Sequence, residues 1–142
     1  MSTETVRDAM VPEPTTLAAA ASAQEAGRSF AESGEVRAIF VTEDGGRLLG
    51  VVTRKTLVRE VVAAGLDPGA VTLREIAEPP NFTLEAGLEL EGAFRFLEEQ
   101  DLERVPVVEE GGRLVGVLSR AVVQRRLAET EPPESEPDSL VL

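Results

Sequence analysis

The 142-residue chain contains no cysteine and no histidine. The first absence removes disulfides and thiolate chemistry. The second removes the commonest general base and the commonest transition-metal ligand. Lysine is almost missing too, Lys55 being the only one, and 26 acidic residues against 14 basic ones leave a net charge of −12. No basic run exceeds Arg125-Arg126. A phosphate-backbone binder needs several cations on one face, so nucleic acid is not an expected partner. No apolar stretch approaches the roughly 20 residues of a membrane span. Ser2-Thr3-Glu4 lacks the basic start and apolar run of a signal peptide. These absences predict a soluble, cytoplasmic protein, and abundant Arg, Ala and Gly with a single Lys points to a GC-rich bacterial genome. The length supports one compact domain, or two small ones leaning on each other.

What is present is a repeat. Thr5-Val6-Arg7-Asp8 returns as Thr72-Leu73-Arg74-Glu75, 67 positions later, and Thr16-Leu17 returns as Thr83-Leu84. Residues 5–41 and 72–108 compare without a gap, with 11 of 37 pairs identical and Arg37 facing Arg104. After a slip of one residue, 43–54 faces 109–120 with 8 of 12 pairs identical. Two copies of one supersecondary unit, related by an approximate twofold, are expected. Such copies create clefts where they meet.

Each copy reads as strand, helix, strand, strand, helix, after a short helical lead-in. Thr5 with Asp8 and Thr72 with Glu75 have capping-box spacing, so a helical turn opens each copy, ended by Pro12 and Pro14 or by Pro79 and Pro80. Brief extended segments follow at 15–17 and 82–84. In the second copy Leu90, Ala93, Phe94 and Leu97 form one apolar helical stripe. The first copy places Ala23, Ala26, Gly27 and Phe30 there, behind a Ser22/Glu25 capping box, and these smaller residues imply closer packing or a shallower core. The next strands, 36–41 with 48–53 and 105–108 with 114–119, flank paired glycines, a hairpin signal because such turns need positive φ. Neither glycine pair leads a phosphate-loop motif. Closing helices carry Leu57, Val58, Val61 and Val62, and then Val122, Val123 and Leu127. Residues 65–71 read as a linker between units 4–64 and 72–129. Residues 130–142, rich in proline and acid, read as a disordered tail.

This arrangement, with Arg104-Val105-Pro106-Val107-Val108 leading to Gly111-Gly112-Arg113-Leu114-Val115-Gly116-Val117-Leu118-Ser119-Arg120, and Arg37 through Arg54 as its counterpart, resembles a tandem pair of CBS (cystathionine β-synthase) domains. The opening Val6-Arg7-Asp8-Ala9-Met10-Val11-Pro12 also matches that family's lead-in. The resemblance spans roughly residues 4–129. It implies an α/β (α+β) fold of two β-α-β-β-α units joined as one pseudo-twofold module with two clefts, usually dimerised. Such clefts often hold AMP, ADP, ATP, S-adenosylmethionine or NAD. Thr53 and Ser119 stand where a strand turns into a helix, next to free N–H groups, and Arg54 and Arg120 follow as candidate phosphate ligands. Thr16 and Thr83 fall where the family contacts the nucleoside, and Arg37 and Arg104 where it lines the cleft.

The family's ribose-binding acid in Thr/Ser-x-x-Asp is replaced here by Thr56 and by Val122. Thr56 keeps a hydroxyl and is carried as a partial ribose contact, whereas Val122 offers no polar group. The first-copy cleft is therefore the better candidate. Two functions remain open: a sensor of an adenosine-type or other small anionic ligand, acting on a regulated protein, and a ligand-free dimerisation or interaction module. No cofactor is required by either. No carboxylate pair, nucleophile–base set or metal cluster presents itself, so an enzyme is not expected. Leu57, Val61 and Val62, with Val123 and Leu127, exceed what one small core needs and predict a homodimer.

Overall fold

The computed structural model describes residues 4–129, so the tail expected at 130–142 lies outside the described residues. Each copy forms the expected unit. The first runs β2 (Thr16–Ala18), α2 (Ala23–Glu32), β3 (Ile39–Glu43), β4 (Arg47–Val52) and α3 (Arg54–Leu57), the last continued by a π-helical turn, Val58–Val62. The second runs β5 (Leu84–Glu85), α5 (Leu90–Glu99), β6 (Arg104–Glu109), β7 (Arg113–Ser119) and α6 (Arg120–Glu129). Lead-in helices α1 (Val6–Ala9) and α4 (Leu73–Ile76) precede them, with a short β1 (Val11–Pro12) after α1. Capping boxes start α1, α2 and α4 as the spacing predicted.

The strands join in the order β2-β3-β4-β7-β6-β5, with β1 added to β7. Within each copy the outer pair is parallel and the hairpin antiparallel. The two hairpins join through one β4–β7 pair, Arg47↔Arg113. Both hairpins turn on glycines at positive φ, Gly45 and Gly46 in one and Gly111 and Gly112 in the other.

The ladder register corrects the repeat alignment. Ile39 pairs with Val52 as Val105 pairs with Leu118, and both hairpins carry a bulge at the same place, between Val41 and Thr42 and between Val107 and Val108. Ile39 therefore corresponds to Val105, and the one-residue slip falls in the loop between α2 and β3, not at the hairpin. A ladder fixes its register, whereas a helix-to-strand loop tolerates a change of length. Arg37 is consequently the counterpart of Glu103, and Arg104 the counterpart of Ala38. Val36, expected in a strand, belongs to that loop.

The lead-ins are exchanged between the copies. Val6 and Ala9 pack in one core with Leu84, Leu90, Leu97, Val105, Leu118 and Val123 of the second copy. Val71, Leu73 and Ile76 pack with Ala23, Phe30, Ile39, Val52 and Val61 of the first. The backbone repeats this reciprocity: Val6 N–H donates to the Leu88 carbonyl (2.9 Å) and Leu73 N–H to the Ala21 carbonyl (2.8 Å). Arg7 reaches Glu109 of the second hairpin, and Arg74 reaches Glu43 of the first. A fully buried Val or Leu stabilises by about 1.5–3 kcal/mol, so each half depends on residues contributed by the other half's lead-in. Val61 and Val123, expected on an interface, are core residues at 3% and 0% exposure.

Candidate functional site

The exchange builds the cleft. The second lead-in crosses β4, where Val51 and Glu78 exchange backbone hydrogen bonds of 2.8 and 2.9 Å. Gly50 permits the crossing: a Cβ there would lie 2.8 Å from the Glu78 carbonyl oxygen. Beyond it the chain descends through Pro79, Pro80, Asn81 and Phe82 toward the start of β6, leaving a cavity of about 230 Å³ whose wall also includes Leu102, Arg104, Val105 and Pro106. Phe82 is braced edge-on by Phe96 (5.4 Å, 77°). Glu78 is the one acid and Arg104 the one base in this lining. Among the described residues Arg104 has no carboxylate within ion-pair distance.

Glu78 connects the cavity to the start of α3. Thr53 caps that helix, its Oγ1 accepting from Thr56 N–H (3.2 Å), while Thr53 N–H donates to Thr56 Oγ1 (3.0 Å). Thr56 is buried, at 1% exposure, and its hydroxyl donates to Glu78 Oε2 (3.0 Å). Arg59 Nη2 donates to the same oxygen (2.5 Å). The Thr56 hydrogen bond first, and then Arg59, hold the Glu78 carboxyl below the usual carboxylate range, so it is ionised at neutral pH.

The two arginines carried as phosphate ligands are engaged elsewhere. Arg54 donates to the carbonyls of Val36 (2.7 Å), Phe30 (3.1 Å) and Ser33 (3.3 Å), and its guanidinium lies 4.8 Å from the centre of the Phe30 ring. It thus closes the C-terminal end of α2. Arg120 instead pairs with Glu103 (2.5 Å) and Asp101 (3.5 Å), both exposed. At the start of α6, Val122 N–H lies 3.5 Å from Ser119 Oγ, a long cap.

Thr53 and Thr56 are brought together through Glu78 with the cavity that holds Arg104. Thr16 lies exposed on β2, opposite Phe40, and Thr83 is exposed just before β5. Arg37 is exposed in the loop before β3. Neither threonine nor Arg37 lines the cavity. Glu78, Asn81 and Phe82 do; sequence reasoning placed Phe82 in an extended segment and assigned no role to Glu78 or Asn81. The position corresponding to Glu78 in the first lead-in is Val11, which pairs with Val117 on β7 as Glu78 pairs with Val51 on β4.

Residues 6–63 and 73–129 each match the CBS domain family. Hypoxic response protein 1 of Mycobacterium tuberculosis is 33% identical over 131 residues, covering 88% of this chain and 86% of the relative. A crystal structure of Hypoxic Response Protein I with two coordinated zinc ions superposes with a TM-score of 0.73 at 30% identity, over 87% of this chain and 98% of that one. CBSX2 in complex with AMP superposes with a TM-score of 0.69 at 25% identity, over 88% and 96%. This sequence contains neither histidine nor cysteine. Among the described residues no three acids gather as a metal cluster, and no helix is long and apolar enough to cross a membrane.

Proposed function

The chain belongs to the CBS domain family, and from that premise we propose that it is a regulatory module that binds an adenosine-type nucleotide in the cleft at the second lead-in and signals occupancy through a homodimer to a regulated protein. The observation that carries this reading is the lining of the 230 Å³ cavity, one ionised acid and one unpaired base set in an otherwise largely apolar wall. A nucleoside phosphate needs that combination. Its anion calls for Arg104, its base for the faces of Phe82 and the prolines, and its sugar for polar acceptors. The AMP complex of CBSX2 supports the same ligand class. The phosphate is assigned to Arg104, because the terminal nitrogens of Arg54 are spent on carbonyls.

The cleft at Val11 and Val122 carries no acid in either position and would desolvate sugar hydroxyls without compensation, so one nucleotide per chain is expected. Titration calorimetry with AMP, ADP, ATP, S-adenosylmethionine and NAD tests the reading. One of them should bind with a stoichiometry of one, and Arg104→Ala should abolish the binding. Failure of all five at millimolar concentration overturns it. In that outcome the interaction-module reading leads, on the apolar groove of about 440 Å³ formed by Ala23, Gly27, Leu57, Val61, Val62 and Leu66.

A further inference from the structure

Position 56 offers a hydroxyl and no carboxylate, yet a carboxylate stands beside it, supplied by the other copy's lead-in. We propose that Glu78 determines the specificity of the cleft, its carboxylate accepting the vicinal hydroxyls of a ribose, with Thr56 and Arg59 positioning it. The proposal rests on the nucleotide reading above.

Three features carry it. The residue is fixed from both sides: its backbone bridges Val51, Gly50 admits it to within 2.8 Å, and its side chain is held by Thr56 and Arg59. Both side-chain partners fall on Oε2. A carboxylate has about four lone-pair sites, so Glu78 retains capacity to accept two further hydroxyl donors. Arg59 is shared with Glu60, to which its Nε donates at 3.0 Å, so it does not belong to Glu78 alone.

The second copy supplies an internal control. Where Thr56 has its counterpart in Val122, Glu78 has its counterpart in Val11. The hydroxyl and the acid are present together in one cleft and absent together from the other. A carboxylate serving only an ion pair with Arg59 has no need of the buried Thr56 hydroxyl. A carboxylate that must hold one orientation toward a ligand does.

The experiment compares AMP with 2′-deoxy-AMP by calorimetry on the full chain and on Glu78→Gln, with Thr56→Val as a second variant. Losing a hydrogen bond to a charged acceptor weakens binding by about ten- to a hundredfold. The wild type should therefore prefer AMP by that factor. Glu78→Gln should lose most of the preference, with a smaller loss for 2′-deoxy-AMP, which keeps only the 3′-hydroxyl contact, and Thr56→Val should reduce the preference with the carboxylate still in place. Equal affinities for the two nucleotides in the wild type overturn the proposal without recourse to any variant, and leave the nucleotide reading standing. So does a preference that survives Glu78→Gln. Absence of binding by both nucleotides overturns the proposal, and the nucleotide reading falls with it only when ADP, ATP, S-adenosylmethionine and NAD fail as well.

Discussion

Gly50 and Glu78 touch across the exchanged lead-in, and a Cβ on Gly50 would fall 2.8 Å from the Glu78 carbonyl oxygen and 2.9 Å from the Ala77 Cβ. The contact recurs at the pseudo-twofold position, where a Cβ on Gly116 would lie 2.8 Å from the Val11 carbonyl oxygen. Gly50 and Gly116 are thus crossing points, where one copy's strand lets the other copy's lead-in pass.

Gly50→Ala must push the second lead-in away from β4. Overpacking of this kind costs about 1–3 kcal/mol. The expected result in chemical denaturation is a lower midpoint with an unchanged slope, together with weakened ligand binding, since Glu78 moves with the displaced backbone. Gly50→Ala with wild-type stability would show that the lead-in does not cross there.

The exchanged cores predict how fragments behave. A fragment of residues 1–64 lacks Val71, Leu73 and Ile76, three buried members of its own core. It should be unfolded by circular dichroism and by dispersion of amide resonances. Leu73→Ala in the full chain should cost about 2–5 kcal/mol, although the residue lies outside the first sequence copy whose core it fills.

Much of this was legible locally and little of it across the copies. The boxes of Thr5 with Asp8, Ser22 with Glu25 and Thr72 with Glu75 close within one turn, so spacing alone reveals them. Gly45 and Gly111 announce their turns because an L side chain is strained at φ of 75° and 73°. The exchange of α1 and α4 leaves no local trace, since Leu73 has the same apolar character whichever core receives it. Glu78 was missed for the same reason: its partners Thr56 and Arg59 lie 22 and 19 residues away. Arg37 and Arg104 matched by identity, and only the strand register at Ile39 and Val105 separates them.

Arg54→Ala and Arg120→Ala should differ in stability without any ligand. Arg54 holds three carbonyls and a ring at the end of α2, and charge-assisted hydrogen bonds of this type are the stronger kind. Arg120 meets two exposed carboxylates, and exposed pairs contribute little. Thermal melts should show Arg54→Ala lower by several degrees and Arg120→Ala close to wild type. Arg54→Lys should not restore the loss, because an ammonium cannot reproduce the guanidinium fork.

The acid limb of stability follows from four carboxyls held below their usual range. Hydrogen bonds from Arg74 lower Glu43, Arg7 lowers Glu109, the Thr5 backbone N–H lowers Asp8, and Thr56 lowers Glu78. A carboxyl whose folded pKa is depressed binds protons more readily when unfolded. Its contribution is therefore fully present above the unfolded value, about 4.3 for Glu, and is lost as the pH falls through the folded value. Denaturant midpoints should hold down to about pH 5 and then drop. Glu43→Gln and Glu109→Gln should each flatten that drop. An acid limb unaffected by both substitutions would place its cause elsewhere.

Self-association should run through the π-helical turn. Val62 is 70% exposed and Val58 57%, and Leu66 lies close by in sequence at 49%. Val62 and Leu66 line the groove with Ala23, Gly27, Leu57 and Val61. A monomer leaves this surface in water, whereas a second copy packed on it removes apolar area at about 25 cal/mol per Å². The second copy carries no equal patch, since Val123 is in the core and Val122 and Leu127 are half-buried. Val62→Asp should therefore convert the dimer to a monomer by light scattering at tens of micromolar, with little change in the melt of the monomeric fold. Leu127→Asp should leave the dimer in place. A wild type that is monomeric at that concentration ends the dimer reading, and a dimer that survives Val62→Asp moves the interface away from the groove.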